Sequence, residues 1–396
     1  MKLGVIGYGN AGGKVADRLL RFERDAGRSL TRAVLAINSA EVDLERLEHV
    51  PREHRFLIGQ TDERVKGHGV GGDPDLGAEI TRQDRYELDR ALDQVPVYDV
   101  SGFLVVAGLG GGTGSGGAPE LASYIRETYE EPVYGLGILP AEEEGGRAAL
   151  NAARSLRSFT EATDNLVLFD NHAWRGSEDS VAGGYERTNT EIVKRVVTLL
   201  SAGEIDGSQV SENAMDSGDI RRTLSTGGVS TIAYTETELG YDEQGGGGGL
   251  LSRFRSESSR ARSTNGTDPS TRISGLVRQA VQSRLTCPAA VESAERSLVV
   301  VSGPPDAFSR KGLESGRQWL ERETDSVEVL AGDDPRRDAR TLSAVVLLSN
   351  VTEVPRVDEL QEQATGAQRR IRDLESSRES EIQDLVTDEG DELDPL

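Results

Sequence analysis

The run Gly110-Gly111-Gly112-Thr113-Gly114-Ser115-Gly116-Gly117 has the chemistry to hold a polyphosphate. Its backbone N–H groups can fold into a concave nest for an anion, and Thr113 and Ser115 add hydroxyls. The run follows the apolar stretch Phe103–Ala107 and precedes a helical pattern over Pro119–Glu130. Proline suits the first position of a helix, whose dipole adds to the field. A flexible linker would not sit between a buried strand and a helix. On this reading packing has no use for so many glycines. A second loop, Gly7-Tyr8-Gly9-Asn10-Ala11-Gly12-Gly13, has G-x-G-x-x-G spacing between a strand and a helix, which brings amides to phosphate. A dinucleotide site also wants an acid ending the second strand, where this chain has Asn38-Ser39-Ala40-Glu41, its acid a few residues late. It is not a Walker A loop, because Val15 follows Lys14 where Ser or Thr is needed. Asp216 and Asp219 form a D-x-x-D pair. Read by itself, Asp-Ser-Gly-Asp is good chemistry for capping a turn that leads into Ile220–Ser225.

These loops need elements to position them. Leu3–Ile6, Ala33–Ile37, Arg55–Ile58, Phe103–Ala107, Pro132–Ile138 and Asn165–Phe169 read as strands apolar on both faces, as buried parallel strands are. Helical patterns over Gly13–Ala26, Asp84–Val95, Pro119–Glu130 and Gly145–Thr160 alternate with them. The alternation predicts an α/β, doubly wound parallel sheet with its ligand at the carboxyl ends of the strands. Tyr185–Ser201 reads as one long helix with an apolar stripe from Ile192 to Leu200. A second, α+β unit follows from about Ile220. Its strands are Val229–Thr235, Ser297–Ser302, Ser326–Ala331 and Ser343–Ser349, with helices over Ser274–Arg284 and Ser309–Glu323. The expected division is 1–182, a central helix 183–203, a second domain 204–355, then a helix and acidic tail 356–396. Gly245–Gly249 and Ser252–Arg272 have linker composition, so 245–272 is expected to be disordered. Val357–Val386 reads as a polar amphipathic helix, and Thr387–Leu396 as a solvated acidic tail.

Composition excludes several classes. The 396 residues carry 68 Asp+Glu against 45 Lys+Arg, a net charge of −23. That field repels nucleic acid and anionic lipid, so neither is an expected partner. One cysteine, Cys287, excludes a disulfide framework, and the four histidines lack ligand spacing. No apolar run reaches the ~18 residues of a spanning helix, and the N-terminus does not read as a signal peptide. The chain is expected to be cytoplasmic, without membrane insertion. Only five of the basic residues are lysine. An acidic, lysine-poor surface fits a halophile, where at 1 M salt a Debye length of about 3 Å screens the self-repulsion.

Gly110–Gly117 resembles the GGGTG[ST]G motif of the tubulin/FtsZ superfamily, and the order of the loops agrees over most of residues 1–355. Among its subgroups the chain is most similar to CetZ, the haloarchaeal tubulin-like proteins associated with cell shape. The resemblance implies a cytoskeletal GTPase using GTP/GDP and Mg²⁺, the metal held through the phosphates. Gly9, Asn10, Ala11 and Gly12 would meet the phosphates from the first loop, and Gly110, Gly111, Gly112, Thr113, Gly114 and Ser115 from the fourth. Asn38 belongs to the second loop. Gly71, within Gly69–Pro74, resembles the third loop, which senses the γ-phosphate; an ordinary glycine turn is the alternative. Glu144 and Arg147 resemble the ribose-binding fifth loop. Asn171, Tyr185 and Asn189 resemble the base site, where asparagine can match guanine's donors and acceptors.

Asp216 and Asp219 resemble the catalytic loop that acts on the GTP of the next subunit. Assembly would then be head-to-tail with the chain itself, alongside unidentified cytoplasmic or membrane-associated adaptors. Three features depart from the pattern. One extra residue separates Asn213 from Asp216, Ala40 stands where FtsZ carries an acid, and the tail lacks the FtsZ docking peptide. A GTP-dependent scaffold with little hydrolysis is the first alternative. A nicotinamide-dependent oxidoreductase is the second, though it leaves Gly110–Gly117 without a use.

Overall fold

The computed structural model describes residues 1–175, 181–204, 213–239 and 268–386. Gly245–Gly249, most of Ser252–Arg272 and the tail Thr387–Leu396 lie outside the described residues. Pro269–Arg272, expected as linker, instead open a helix with proline in its first turn.

Six parallel strands build the first half: β1 Leu3–Tyr8, β2 Thr31–Asn38, β3 Arg55–Leu57, β4 Phe103–Gly108, β5 Val133–Leu139 and β6 Asn165–Asp170. Their order is β3-β2-β1-β4-β5-β6. The chain winds outward from β1 and returns to β4, so a crevice opens between these two strands at their carboxyl ends. β1, β5 and β6 are buried along their whole length, as strands covered on both faces must be. The covering helices are α1 Gly9–Ala26, α2 Glu41–Glu45, α3 Pro74–Gln83, α4 Arg85–Leu92, α5 Thr113–Thr128 and α6 Gly146–Ala162. After the short α7 Asn171–Trp174 comes α8 Val181–Leu200. Its stripe Ile192, Val193, Val196, Val197, Leu199 and Leu200 is buried, as its period predicted.

The second half joins the same sheet. α9 Ser217–Leu224 leads into β7 Val229–Glu238, which pairs parallel with β6 through Leu166↔Val229 and Val167↔Ser230. Then follow α10 Pro269–Gln282, β8 Ala294–Gly303, α11 Arg310–Glu323, β9 Glu328–Pro335, β10 Thr341–Val351 and α12 Pro355–Val386. The ten strands run β3-β2-β1-β4-β5-β6-β7-β10-β8-β9. Two residue pairs thus make one sheet of what reads in sequence as two units.

The short α2 and α7 were not expected, α1 begins at Gly9 and not Gly13, and two further differences bear on the site. α3 was not anticipated, since Gly77 in its interior reads as a breaker. A Cβ at Gly77 would lie 2.5 Å from the Gly112 carbonyl, so the glycine lets α3 touch the fourth loop. α5 begins at Thr113, not Pro119, so the proline sits inside the helix. Proline cannot serve the carbonyl four residues back. That carbonyl, Ser115, accepts the Ser155 hydroxyl from α6 at 2.6 Å instead.

The glycines of the run also have a packing use that the sequence reading denied. A Cβ at Gly116 would lie 1.9 Å from the Pro74 carbonyl, and one at Gly117 2.4 Å from the Tyr8 ring. They let α5 close on α3 and on β1. Finally, α12 buries Leu360, Ala364 and Ala367 on the body and leaves Ile371, Leu374 and Ile382 exposed. It meets α6 closely, since a Cβ at Gly146 would come within 2.8 Å of that of Ala367.

Candidate functional site

A cavity of about 450 Å³ opens at the carboxyl ends of β1 and β4. Asn10 and Ala11 line it from the first loop, Asn38 from the second, Gly71 from the third and Gly110–Gly114 from the fourth. Glu144, Asn171, Tyr185 and Asn189 line it from the far side. Residues spread over the first half of the chain therefore converge, as the loop order predicted.

Local chemistry explains each loop. Gly71 and Gly72 have φ of 60° and 74°, in the left-handed region, and both face open space. Asp73 then caps α3, accepting from Asp75 N at 2.9 Å and Leu76 N at 3.1 Å, with Pro74 next. The Asn38 oxygen accepts from Ser39 N at 2.8 Å and from Ala40 N at 3.3 Å, the latter an Asx turn, which leaves its amide near Asp43 Oδ2 at 3.5 Å. The Thr113 hydroxyl meets that of Ser39 at 2.7 Å, which ties the fourth loop to the second. Gly111 lines the cavity and has nothing within 4 Å of where a Cβ would be, so its backbone faces open space. α5 starting at Thr113 aims its N-terminus into the cavity, which favours phosphate.

Not every expected residue lines this cavity. Gly9 and Gly12 support it from behind. Gly9 has φ of 72° and a Cβ there would lie 2.9 Å from Gly114 N; one at Gly12 would lie 2.0 Å from the Val106 carbonyl. Ser115 is turned to its own loop, its hydroxyl donating to Gly112 O at 3.2 Å and to Gly111 O. Arg147 lies outside, in a separate groove of about 310 Å³ with Asp73, Asp75, Arg154 and Arg372. Lys14, Asp43 and His68 line the cavity and were not anticipated. Glu41, the late acid of the second loop, does not line it; Asp43, two residues on, does.

The far side has its own electrostatics. The Glu144 carboxylate accepts Ala141 N at 2.8 Å, closing the fifth loop. Burial, then the Glu144 charge and hydrogen bond, push the Tyr185 phenol above its ordinary pKa. The buried Asp170 accepts from His172 N at 3.1 Å and Ala173 N at 3.2 Å, which fixes the α7 turn carrying Asn171. No group of three or more His, Cys, Asp or Glu among the described residues could hold a metal ion. A cation with a bound polyphosphate would depend on the phosphate oxygens, Asp43 and Glu144 being the carboxylates on the wall.

Asp216 and Asp219 lie elsewhere. Asp216 caps α9, its carboxylate accepting Asp219 N at 2.8 Å. The loop is pinned to β9, with Met215 N donating to Asp333 O at 3.0 Å and Asp333 N to Asn213 O at 2.9 Å. It rests against the carboxyl end of α8, where a Cβ at Gly203 would lie 2.7 Å from Met215 O. From Asn189, in the cavity, to Leu200, α8 rises about 16 Å. These acids cannot reach the cavity of their own chain. Burial, and next the Asp216 charge, raise the Asp219 pKa above the ordinary carboxylate value.

Comparisons with known proteins place the chain among its relatives. The description "Tubulin/FtsZ family, GTPase domain" matches residues 2–179, and "Tubulin-like CetZ, C-terminal domain" matches residues 178–366. Tubulin-like protein CetZ1 of Haloferax volcanii is 49% identical over 375 residues, 94% of each chain. The GDP-bound CetZ1 monomer of that organism superposes with a TM-score of 0.80 at 46% identity, over 93% of this chain and 100% of that one. A GTPγS-bound protofilament of its CetZ2 also gives 0.80, at 36% identity, over 94% and 100%.

Proposed function

The chain belongs to the tubulin/FtsZ family, in its CetZ branch, and from that premise we propose a GTPase that assembles head-to-tail, each catalytic loop completing the GTP site of the next subunit. The observation that carries the reading is the separation of the acids from the cavity. A carboxylate pair at the opposite end of α8 can meet a nucleotide only on another copy. Such a contact is heterologous and open, so it propagates a filament.

Within the composite site, Asn10, Ala11 and Gly110–Gly114 hold the phosphates, while Asn171, Tyr185 and Asn189 take the guanine. Asp219 is the water-orienting base. Its raised pKa makes it a better proton acceptor than an ordinary carboxylate. Asp216 holds the α9 turn that presents Asp219. Mg²⁺, bound with GTP, supplies charge neutralisation at the phosphates. Hydrolysis in this scheme weakens the longitudinal contact and gives turnover. The cellular task we propose is control of cell shape or motility in the cytoplasm, with adaptor proteins as further partners.

Phosphate release from GTP, with Mg²⁺ in molar KCl over a series of protein concentrations, tests this. The rate per subunit should rise with concentration. Asp219→Ala should abolish release and keep GTP binding. A flat, finite rate would refute the shared site. GTP binding and assembly without release would identify a scaffold, a reading favoured only by the engagement of Asp216 in capping.

A further inference from the structure

We propose that Asn151 is a positioning residue that aims the fourth-loop amides into the cavity, holds the third loop against them and so sets the preference for tri- over diphosphate. The inference rests on reading the cavity as a GTP site. Asn151 lies in the second turn of α6, is 4% exposed and is absent from the cavity wall. Its Nδ2 is 3.0 Å from Gly72 O, 3.1 Å from Gly110 O and 3.1 Å from Gly111 O. Two N–H bonds thus serve three acceptors on two different loops. The nitrogen must occupy this place, since the amide oxygen would face three carbonyl oxygens there.

The consequence follows from peptide geometry. The described peptide bonds are all trans, and in a trans peptide the C=O and the following N–H point in opposite directions. Carbonyls of Gly110 and Gly111 drawn towards Asn151 turn the N–H groups of Gly111 and Gly112 the other way. Both residues line the cavity. The Gly72 carbonyl on the same amide holds the third loop against the fourth, where Asp73 N would lie 2.6 Å from a Cβ on Gly112. One turn further along α6, Ser155 holds the Ser115 carbonyl. α6 therefore grips the phosphate loops from outside, and Asn151 is the side chain, among the described residues, that hydrogen-bonds both.

On the reading that the third loop meets the terminal phosphate, a triphosphate engages both loops and a diphosphate mainly the fourth. Loops released from Asn151 must be ordered by the ligand, at a cost to affinity. Equilibrium titration of Asn151→Ala with a non-hydrolysable GTP analogue and with GDP, in molar KCl with Mg²⁺, reads this. The Kd of the analogue should rise about ten-fold, roughly the worth of one charged hydrogen bond, and that of GDP about three-fold or less. Asn151→Ser, which keeps one donor, should fall between wild type and Asn151→Ala. Equal factors for both nucleotides, or a change in melting temperature alone, would overturn the proposal. Wild-type protein that binds neither nucleotide would instead refute the GTP reading. If neither variant folds, backbone hydrogen exchange in the wild type decides. The Gly111 and Gly112 amides should be protected by the GTP analogue, and unchanged exchange would overturn the proposal.

Discussion

Replacing Arg356 with Met should both destabilise the protein and loosen the nucleotide cavity. Arg356 opens α12 and is 4% exposed as a side chain; its partner Asp170, at the end of β6, is 1% exposed. Nε donates to Asp170 Oδ1 at 3.1 Å and one terminal nitrogen to the Pro140 carbonyl at 3.0 Å. The third contact, to Glu359, is with a largely exposed carboxylate and contributes little. Removing one partner of a buried pair costs about 3–5 kcal/mol, because the remaining charge is uncompensated. Asp170 keeps two backbone N–H donors, from His172 and Ala173. The lower end, about 3 kcal/mol at neutral pH, is therefore expected.

Urea unfolding at constant molar KCl measures this loss. The pH dependence supplies a signature. Burial already raises the Asp170 pKa above its ordinary value, against the pull of Arg356. A raised folded-state pKa means that the native state takes up a proton first, so this site's contribution to stability falls as pH rises through it. Without Arg356 the pKa rises further. The gap between wild type and variant should then narrow as pH falls towards the ordinary carboxylate range. Asp170→Asn combined with Arg356→Met should recover much of the loss, as coupled neighbours do. Because Pro140 and Asn171 line the cavity, GTP affinity should drop as well. A loss below about 1 kcal/mol, or a gap independent of pH, would refute the reasoning.

Tyr185→Ala should weaken GTP binding by about 1–3 kcal/mol if the ring stacks on guanine; an unchanged Kd in a nucleotide titration would remove Tyr185 from the site. If Asp219 is the ionised base, hydrolysis should fall as pH is lowered through an apparent pKa above the ordinary aspartate value, since its pKa is raised. A pH–rate profile flat down to that ordinary value would contradict the role of Asp219. Gly116→Ala should cost about 1–3 kcal/mol, the usual price of overpacking, since its Cβ would meet the Pro74 carbonyl backbone. A melting curve identical to wild type would disprove the close α3–α5 contact. Lowering KCl from molar to about 0.01 M, where the Debye length is about 30 Å, should lower the melting temperature sharply at a net charge of −23. A salt-insensitive melt would refute the halophile reading.

Much of the first half is legible in consecutive residues. The six parallel strands appear where two-faced apolar runs stand between glycines, with ends moved by a residue or two. The stripe of α8 is written at the helical period. The family resemblance, carried by Gly110–Gly117 and the order of the loops, names Asn10, Asn38, Gly71, Gly110, Glu144, Asn171, Tyr185 and Asn189, and all of them line one cavity. α3 was obscured by Gly77, and the early start of α5 by Pro119. In both cases a local rule was overridden by a neighbour, the fourth-loop backbone in one and the Ser155 hydroxyl in the other.

The sequence by itself determined the alternation of strands and helices, the glycine loops and the charge, since these are properties of neighbouring residues and of counts. Tertiary structure alone decided which glycine faces the open cavity, as Gly111 does, and which is needed for packing, as Gly116 is. It also decided that Lys14, Asp43 and His68 face the cavity while Arg147 faces another groove, and that two residue pairs carry one sheet through both halves. The reason is physical. A side chain's surroundings come from elements distant in the chain, and the few ångströms that separate contact from clash depend on how those elements pack.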